Sequence, residues 1–250
     1  MVTVPSVNAV PSAGSAGSVE PLKLVVVSAG LGKPSSTRLL ADRLAEASVK
    51  ALAAEDRKAE VEIVELRELA ADIANHLVTG FPSATLGAAL AAVGGADGVI
   101  AVTPVFAGSY SGLFKSFFDL VDPDALTGTP VLLAATGGTA RHSLVVEHAM
   151  RPLFSYLHAL TLPTAVFAAT DDWGARADTH AGGLPARIER AGGEFGRLLQ
   201  GRTAREGTSG NGRNGKGREK GRQENGEGAN GSDDFDDVVP FEQLLANVTP

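Results

Sequence analysis

Three short stretches of the chain combine glycine with serine or threonine directly after an apolar run. They begin at Ser28, Thr103 and Thr136 and read SAGLGKPSST, TPVFAGSYSG and TGGTARHS. Such apolar runs predict buried strands, so each stretch is expected at the carboxyl end of a strand. Hydroxyls and free backbone N–H groups at such ends bind phosphate, and aromatic side chains among them offer a surface to a flat ring.

The first stretch shares residues with two nucleotide-binding loops but completes neither. Gly30 and Gly32 begin a dinucleotide-binding fingerprint, but Ser35 occupies the position of its third glycine. No acidic residue stands in a second strand about 20 residues later either. A Walker A loop requires Ser or Thr after Gly-Lys, whereas Pro34 follows Lys33. Both interpretations are therefore disfavoured.

The hydroxyls of the first stretch suit a phosphate monoester at the start of a helix. Ser28, Ser35, Ser36 and Thr37 flank a predicted helix N-terminus, where free N–H groups attract anions. The alternative is that Ser35 or Ser36 only caps the helix. The two roles are compatible.

The second and third stretches predict the position of a ring. Pro104 forces an extended exit from its strand. Val105, Phe106 and Tyr110 offer apolar or aromatic surface. The run Thr136-Gly137-Gly138-Thr139 leaves N–H groups uncovered before a predicted helix, which favours partial negative charge. The structural alternatives are an ordinary strand-to-helix connection and a tight glycine turn.

Alternating apolar runs and helical segments predict the scaffold that positions these stretches. They indicate an α/β fold, a flavodoxin-like three-layer α/β/α sandwich with a five-stranded parallel sheet in the order 2-1-3-4-5. The predicted strands are residues 22–28, 61–66, 98–103, 130–136 and 162–168. The predicted helices are residues 36–55, 83–94, 111–121, 141–159 and 184–200. Ligands of such folds bind outside the carboxyl ends of strands 1 and 3, beside the three stretches.

Two longer segments resemble the NAD(P)H-dependent FMN reductases of the flavodoxin-like superfamily. TPVFAGSYSGLFKSFFDLVDPDAL is similar to the family pattern P-x-[YF]-x-x-S-x-S-G-x-x-K, and PVLLAATGGTARHSLVVEHAMRPLF contains its A-T-G-G partner. The resemblance runs from about Leu22 to Gln200. Many relatives carry an arginine where this chain has Gly30, so Lys33, Arg38 or N–H groups are expected to meet the phosphate.

The resemblance implies three groups of contacts to FMN. Those to the phosphate are Ser28, Ser35 and Thr37. Those along the ring and ribityl chain are Pro104, Val105, Phe106 and Ser109, and those at the pyrimidine edge are Thr136, Gly137 and Gly138.

The implied reaction is hydride transfer from C4 of the nicotinamide of NADPH or NADH to N5 of FMN, with FMNH2 supplied to a partner flavin-dependent monooxygenase. This transfer needs no general acid or base, so no catalytic side chain is assigned. No metal site is predicted. The resemblance also implies a homodimer or homotetramer. Two alternatives remain: an enzyme that keeps FMN bound and reduces quinones, azo dyes or metal oxyanions, and a flavodoxin-type electron carrier.

Composition predicts the remaining organisation. Residues 1–21 are expected to be a disordered leader and 22–201 the reductase domain. Residues 202–231, rich in Gly, Arg, Asn and Glu, are expected to be a flexible linker, and the acidic and apolar residues 232–250 a candidate docking peptide. The net charge of −7 disfavours nucleic acid, and no apolar run reaches membrane-spanning length. The absence of cysteine and of a signal peptide favours the cytoplasm.

Overall fold

The computed structural model describes residues 20–173 and 183–202. The chain divides into two units, Met1–Ser209 and Gly210–Pro250, and the described residues belong to the first. The predicted leader up to residue 19, the linker from residue 203 and the segment 232–250 lie outside the described residues. Their predicted properties therefore stay predictions.

A parallel sheet forms the centre of the described domain. The strands are β1 (Leu22–Ser28), β2 (Ala59–Glu65), β3 (Gly98–Phe106), β4 (Ser109–Tyr110), β5 (Pro130–Gly137), β6 (Leu160–Thr161) and β7 (Val166–Ala169). The order is β2-β1-β3-β5-β6, with β4 paired to β3 and β7 to β5. Because β5 is the fourth predicted strand, the predicted core order is confirmed.

The described sheet has seven strands where five were predicted. Of the predicted fifth strand, residues 162–168, only the second half forms a strand, β7, whereas β6 lies just before its predicted start; both are parallel to β5. Pro163 lies between them and has no N–H group to donate to a neighbouring strand. The other additional strand, β4, pairs antiparallel with the end of β3.

Four of the predicted helices have close counterparts. The observed α-helices are α1 (Ser36–Ala53), α2 (Ala70–Thr79), α3 (Ala84–Gly94), α4 (Gly112–Phe118), α5 (Arg151–Tyr156) and α6 (Leu184–Gln200). Helix α2 and the 3-10 helix before it (Leu66–Leu69) were not predicted. No single helix in the described ranges is long and apolar enough to span a membrane. Among the described helices, one bent pair, Leu66–Thr79 and Ala84–Gly94 with a 90° angle between them, meets the requirement of length and composition when the two are taken together.

The prediction of one continuous helix over residues 141–159 is wrong. The segment contains a 3-10 turn (Ala140–His142), a π-helix (Val146–Met150) and then α5. Pro152 stands at the start of α5, where a residue without an N–H group costs no helical hydrogen bond. No α-helix therefore begins directly after Thr136-Gly137-Gly138-Thr139.

Side chains that alternate along the strands build a core on each face of the sheet. Helices α2 to α5 cover one face, where Val25, Val99 and Leu133 point. Helices α1 and α6 cover the other, where Leu24, Ile100 and Leu132 point. This is the predicted three-layer sandwich.

Helices α1 and α6 approach closely because glycine lines their contact. A Cβ at Gly192 would lie 2.6 Å from the Cβ of Ala47, and one at Gly196 would lie 2.8 Å from the Cβ of Ala51. Larger residues at either position would push the helices apart. The close contact anchors α1, whose N-terminus forms part of the site described next.

Candidate functional site

The N-terminus of α1 presents free N–H groups and hydroxyls at the carboxyl edge of the sheet. Ser35 is the N-cap, and its Oγ accepts a hydrogen bond from the Arg38 N–H at 3.1 Å. The Leu39 N–H donates to the Ser35 carbonyl at 3.0 Å. Within the described residues the N–H groups of Ser36 and Thr37 have no hydrogen-bond partner, as expected for the first turn of a helix. They remain available to an anion.

Gly30 leaves room for the Ser35 cap. A Cβ at residue 30 would lie 2.1 Å from Ser35 Oγ and 3.1 Å from the Cβ of Thr37. No side chain fits at residue 30 unless Ser35 moves. This overlap is a physical reason for glycine at this position of the chain.

The second predicted stretch forms a β-hairpin. Strand β3 continues through Pro104 to Phe106, three residues beyond its predicted end, and turns back through Ala107 and Gly108 into β4. Both turn residues have positive φ (48° and 77°), as two-residue hairpin turns that match the strand twist require. Phe106, 48% exposed, is held at the tip of β3.

The third stretch is joined to the first by a buried hydrogen bond. Thr37 Oγ1 and Thr136 Oγ1 lie 2.8 Å apart, and each residue is at most 5% exposed. Only one hydroxyl donates in this bond, so the other keeps its proton for a further acceptor. A Cβ at Gly137 would lie 2.8 Å from Phe167 Cζ, whereas Gly138 has open space. Because no α-helix starts here, the predicted helix-dipole contribution is wrong, and only local N–H groups remain.

No binding role was predicted from the sequence for four residues that line the same cleft, Leu31, Gly32, Pro34 and Thr170. Leu31, 50% exposed, belongs to the first stretch but was assigned no role. Thr170 follows β7, the end of the predicted fifth strand, and that position was the signal that it reaches this edge. The loop after β7 is fixed by Asp172, which accepts from the Ala169 N–H at 2.7 Å and pairs with Arg187 at 2.5 Å.

These elements enclose a cleft of about 280 Å³. Its lining includes the predicted residues Ser35, Thr37, Pro104, Val105, Phe106, Thr136, Gly137 and Gly138. Ser28 does not line it and is 2% exposed within the sheet. Ser109 instead lines a separate groove of about 690 Å³ beside α4 and α5. That groove is larger, but the cleft brings N–H groups, hydroxyls and apolar surface together at the sheet edge where such folds bind ligands.

The two candidate cations for the phosphate differ in their surroundings. Arg38 Nε bonds Asp42 Oδ1 at 2.7 Å, and its Nη1 contacts Glu65. The bond to Asp42, aided by Glu65, raises the pKa of the Arg38 guanidinium above its ordinary value. Lys33 is exposed and forms no ion pair within residues 20–173 and 183–202. In those ranges no group of three or more His, Asp or Glu side chains is arranged to hold a metal ion.

Comparison with known protein families identifies the family of the chain. The family model for NADPH-dependent FMN reductase matches residues 22–174, which include every loop around the cleft. The chain belongs to the NADPH-dependent FMN reductase family. It is an oxidoreductase of that family, as the resemblance in its sequence predicted.

Two similar members of the family are bacterial proteins named for different nicotinamides. An FMN reductase (NADPH) of Pseudomonas aeruginosa is 40% identical over 73% of this chain and 95% of its own length. The NADH-dependent FMN reductase SfnF of Pseudomonas fluorescens is 41% identical over 72% of this chain and 95% of its own length. Overall sequence identity to these relatives therefore does not indicate whether the enzyme prefers NADPH or NADH.

Two solved structures have a fold similar to that of the described domain. An oxidoreductase from Corynebacterium diphtheriae is 45% identical, with a TM-score of 0.68 over 72% of this chain and 97% of its own. The apo form of an NADH:FMN oxidoreductase, EmoB, has a TM-score of 0.62 at 24% identity over 75% of this chain and 96% of its own. The second likeness shows the shared architecture alone.

Proposed function

We propose that the cleft binds FMN and that the enzyme reduces it with NADPH or NADH. The observation that carries this proposal is the convergence of three stretches, far apart in the sequence, on one cleft, where Thr37 and Thr136 bond at 2.8 Å. Family membership supplies the reaction class.

The residues present suit the parts of FMN. The unpartnered N–H groups of Ser36 and Thr37 and the Ser35 hydroxyl suit a dianionic phosphate, because such groups make short, charge-assisted hydrogen bonds. Phe106 and Leu31, each about half exposed at the cleft, suit an apolar ring. Open space at Gly138 leaves the backbone accessible to the polar pyrimidine edge.

The bound flavin supplies the chemistry, since its N5 accepts a hydride from C4 of the nicotinamide. The side chains of this chain bind and orient the reactants, so no general acid or base is assigned. Ser28 is proposed to support the phosphate loop from within the sheet, opposite Glu65 and Val102. Ser109 is proposed to act through its pairing with Phe106, which holds the hairpin.

We propose further that FMN is a dissociable substrate and that FMNH2 passes to a flavin-dependent monooxygenase. The cleft, at about 280 Å³, lies just below the roughly 300–1,000 Å³ of pockets that enclose most of a drug-sized ligand. A flavin held there remains partly exposed and is free to leave. The proposed compartment is the cytoplasm, where NAD(P)H is available.

A homodimer or homotetramer is also proposed. Val78, Phe81 and Tyr156 are 73–88% exposed, and an interface that covered them would remove this apolar surface from water. Light scattering after gel filtration tests it, and a monomer at micromolar concentration would contradict it.

The function is tested by mixing full-length protein anaerobically with excess FMN and NADPH or NADH. Each turnover converts one NAD(P)H, one proton and one FMN into NAD(P)+ and FMNH2. We expect many FMN molecules to be reduced per protein, with one nicotinamide oxidised for each. No nicotinamide oxidation above background would refute the function. Yellow protein that retains flavin through gel filtration and turns over a quinone faster than FMN would favour the bound-flavin alternative.

A further inference from the structure

An arginine that sequence reasoning did not single out holds the backbone of the first stretch. Arg67 Nη1 donates to the carbonyl oxygen of Gly32 at 3.0 Å, and its Nη2 lies 3.3 Å from Glu65 Oε2. Glu65 also contacts Arg38 Nη1. The side chains of Arg67 and Glu65 are only 19% and 20% exposed. The contact therefore joins two partly buried groups to the loop that lines the cleft.

The sheet topology brings these groups together. Strand β2 lies parallel to β1, and Ser28 at the end of β1 is in register with Glu65 at the end of β2. The 3-10 helix that carries Arg67 follows β2 directly. Arg67 thus emerges beside the loop after β1, although 35 residues separate it from Gly32.

The contact fixes the direction of a peptide group. In a trans peptide the C=O and the following N–H point to opposite sides. When the Gly32 carbonyl points to Arg67, the Lys33 N–H points away from Arg67. A carbonyl oxygen turned toward the phosphate would repel it, whereas an N–H group turned toward it would donate a hydrogen bond.

We propose that Arg67 is a positioning residue for flavin phosphate. It holds the Gly32 carbonyl away from the cleft, and Glu65 holds the Arg67 guanidinium in place. Arg38 does not substitute for it, because Arg38 is engaged by Asp42 and Glu65. This inference rests on the proposed binding of FMN in the cleft, and it assigns Arg67 no contact with the flavin.

Two flavins and three variants test the proposal. Dissociation constants of FMN and of riboflavin, which lacks the phosphate, are measured by quenching of flavin fluorescence. The proteins are full-length wild type, Arg67→Gln, Arg67→Lys and Arg202→Gln. Arg202 is the matched control, because its Nη1 also donates to a loop carbonyl, that of Gly128, at 3.1 Å. Gly128 precedes β5, at the opposite edge of the sheet from the cleft.

We expect Arg67→Gln to weaken FMN binding about tenfold, the lower end of what loss of an orienting partner costs at metal sites. Riboflavin binding should not change. Arg67→Lys should lose less affinity for FMN than Arg67→Gln. Lysine keeps one cationic donor, but it lacks the two-pronged guanidinium that reaches both Glu65 and Gly32. Arg202→Gln should bind both flavins like wild type.

The outcomes separate this inference from the proposed function. If Arg67→Gln keeps the wild-type affinity for FMN, or loses affinity for both flavins equally, the positioning role is wrong while the FMN site stands. If wild type binds FMN no more tightly than riboflavin, the proposed phosphate site is wrong, and so is the proposed role of Arg67. Should Arg67→Gln fail to fold, judged by circular dichroism, the comparison of Arg67→Lys with wild type decides in the same way.

Discussion

Replacing Gly30 with alanine should disturb both the start of α1 and the phosphate loop. The added Cβ would lie 2.1 Å from Ser35 Oγ, far inside any permitted contact. Backbone strain is not the cause, because the φ of Gly30 lies outside the left-handed region. The least costly response is rotation of the Ser35 side chain, which breaks its cap on the Arg38 N–H.

The magnitude follows from the lost cap. Removing a serine N-cap costs about 1 kcal/mol. In a domain of this size that corresponds to a fall in Tm of about 2–4 °C. The rotated hydroxyl also leaves the cleft. A hydrogen bond to a charged group contributes about 1.5–3 kcal/mol, so FMN affinity should fall by about tenfold or more.

Thermal melts and FMN titrations of three variants test this reasoning. Gly30→Ala and Ser35→Ala should each lower Tm and FMN affinity. The double variant should lie within about 0.5 kcal/mol of Ser35→Ala, because the overlap disappears with the hydroxyl. Gly112→Ala is the control, since nothing lies within 4 Å of a Cβ there. Additive losses in the double variant, or a Gly30→Ala protein like wild type, would refute the reasoning.

Three further predictions concern the scaffold and the cleft. Gly192→Ala should destabilise the protein by about 1–3 kcal/mol, because the added methyl group overpacks against α1. Gly193→Ala should instead stabilise it by about 0.5–1 kcal/mol, because the nearest atom to the new Cβ belongs to a flexible side chain 3.7 Å away. Equal midpoints of urea unfolding for the two variants would contradict this prediction. The hydrogen bond from Arg151 lowers the pKa of Glu147 below its ordinary 4.5, so its stabilisation is present above pH 4.5 and lost as the pH falls. The Tm advantage of wild type over Glu147→Gln should accordingly shrink below pH 4.5, and an advantage that grew in acid would show that the sign is wrong. Thr136→Val should lower the stability by about 1 kcal/mol and weaken FMN binding, because it removes the buried hydrogen bond to Thr37. An unchanged Tm together with an unchanged FMN affinity would contradict a role for this bond.

The parallel sheet and its order could be predicted because the chain alternates apolar runs with helical segments. The interruption at Pro163 was visible in the sequence, since a proline inside a predicted strand argues for a break. The start of α5 at Pro152 was visible for a similar reason. Helix α2 also left a signal, because Leu66, Leu69 and Ile73 recur at helical spacing.

The candidate site was predictable as a set of loops but not as a set of contacts. Parallel strands end at one edge, so the three stretches were expected to meet. The contacts of Arg67 with Gly32 and Glu65 depend on the register of β1 with β2 and on side-chain conformations, which local patterns do not encode. For the same reason the sequence did not reveal that Arg38 is engaged by Asp42 and Glu65.

We propose above that the cleft at the carboxyl edge of the sheet binds FMN with its phosphate at the N-terminus of α1. A crystal structure of the full chain grown with FMN tests it most directly. We expect phosphate oxygens within hydrogen-bonding distance of the Ser36 and Thr37 N–H groups, with the ring beside Phe106 and Gly138. A phosphate bound elsewhere, or a flavin in the groove lined by Ser109, would show that this assignment of the FMN site is wrong.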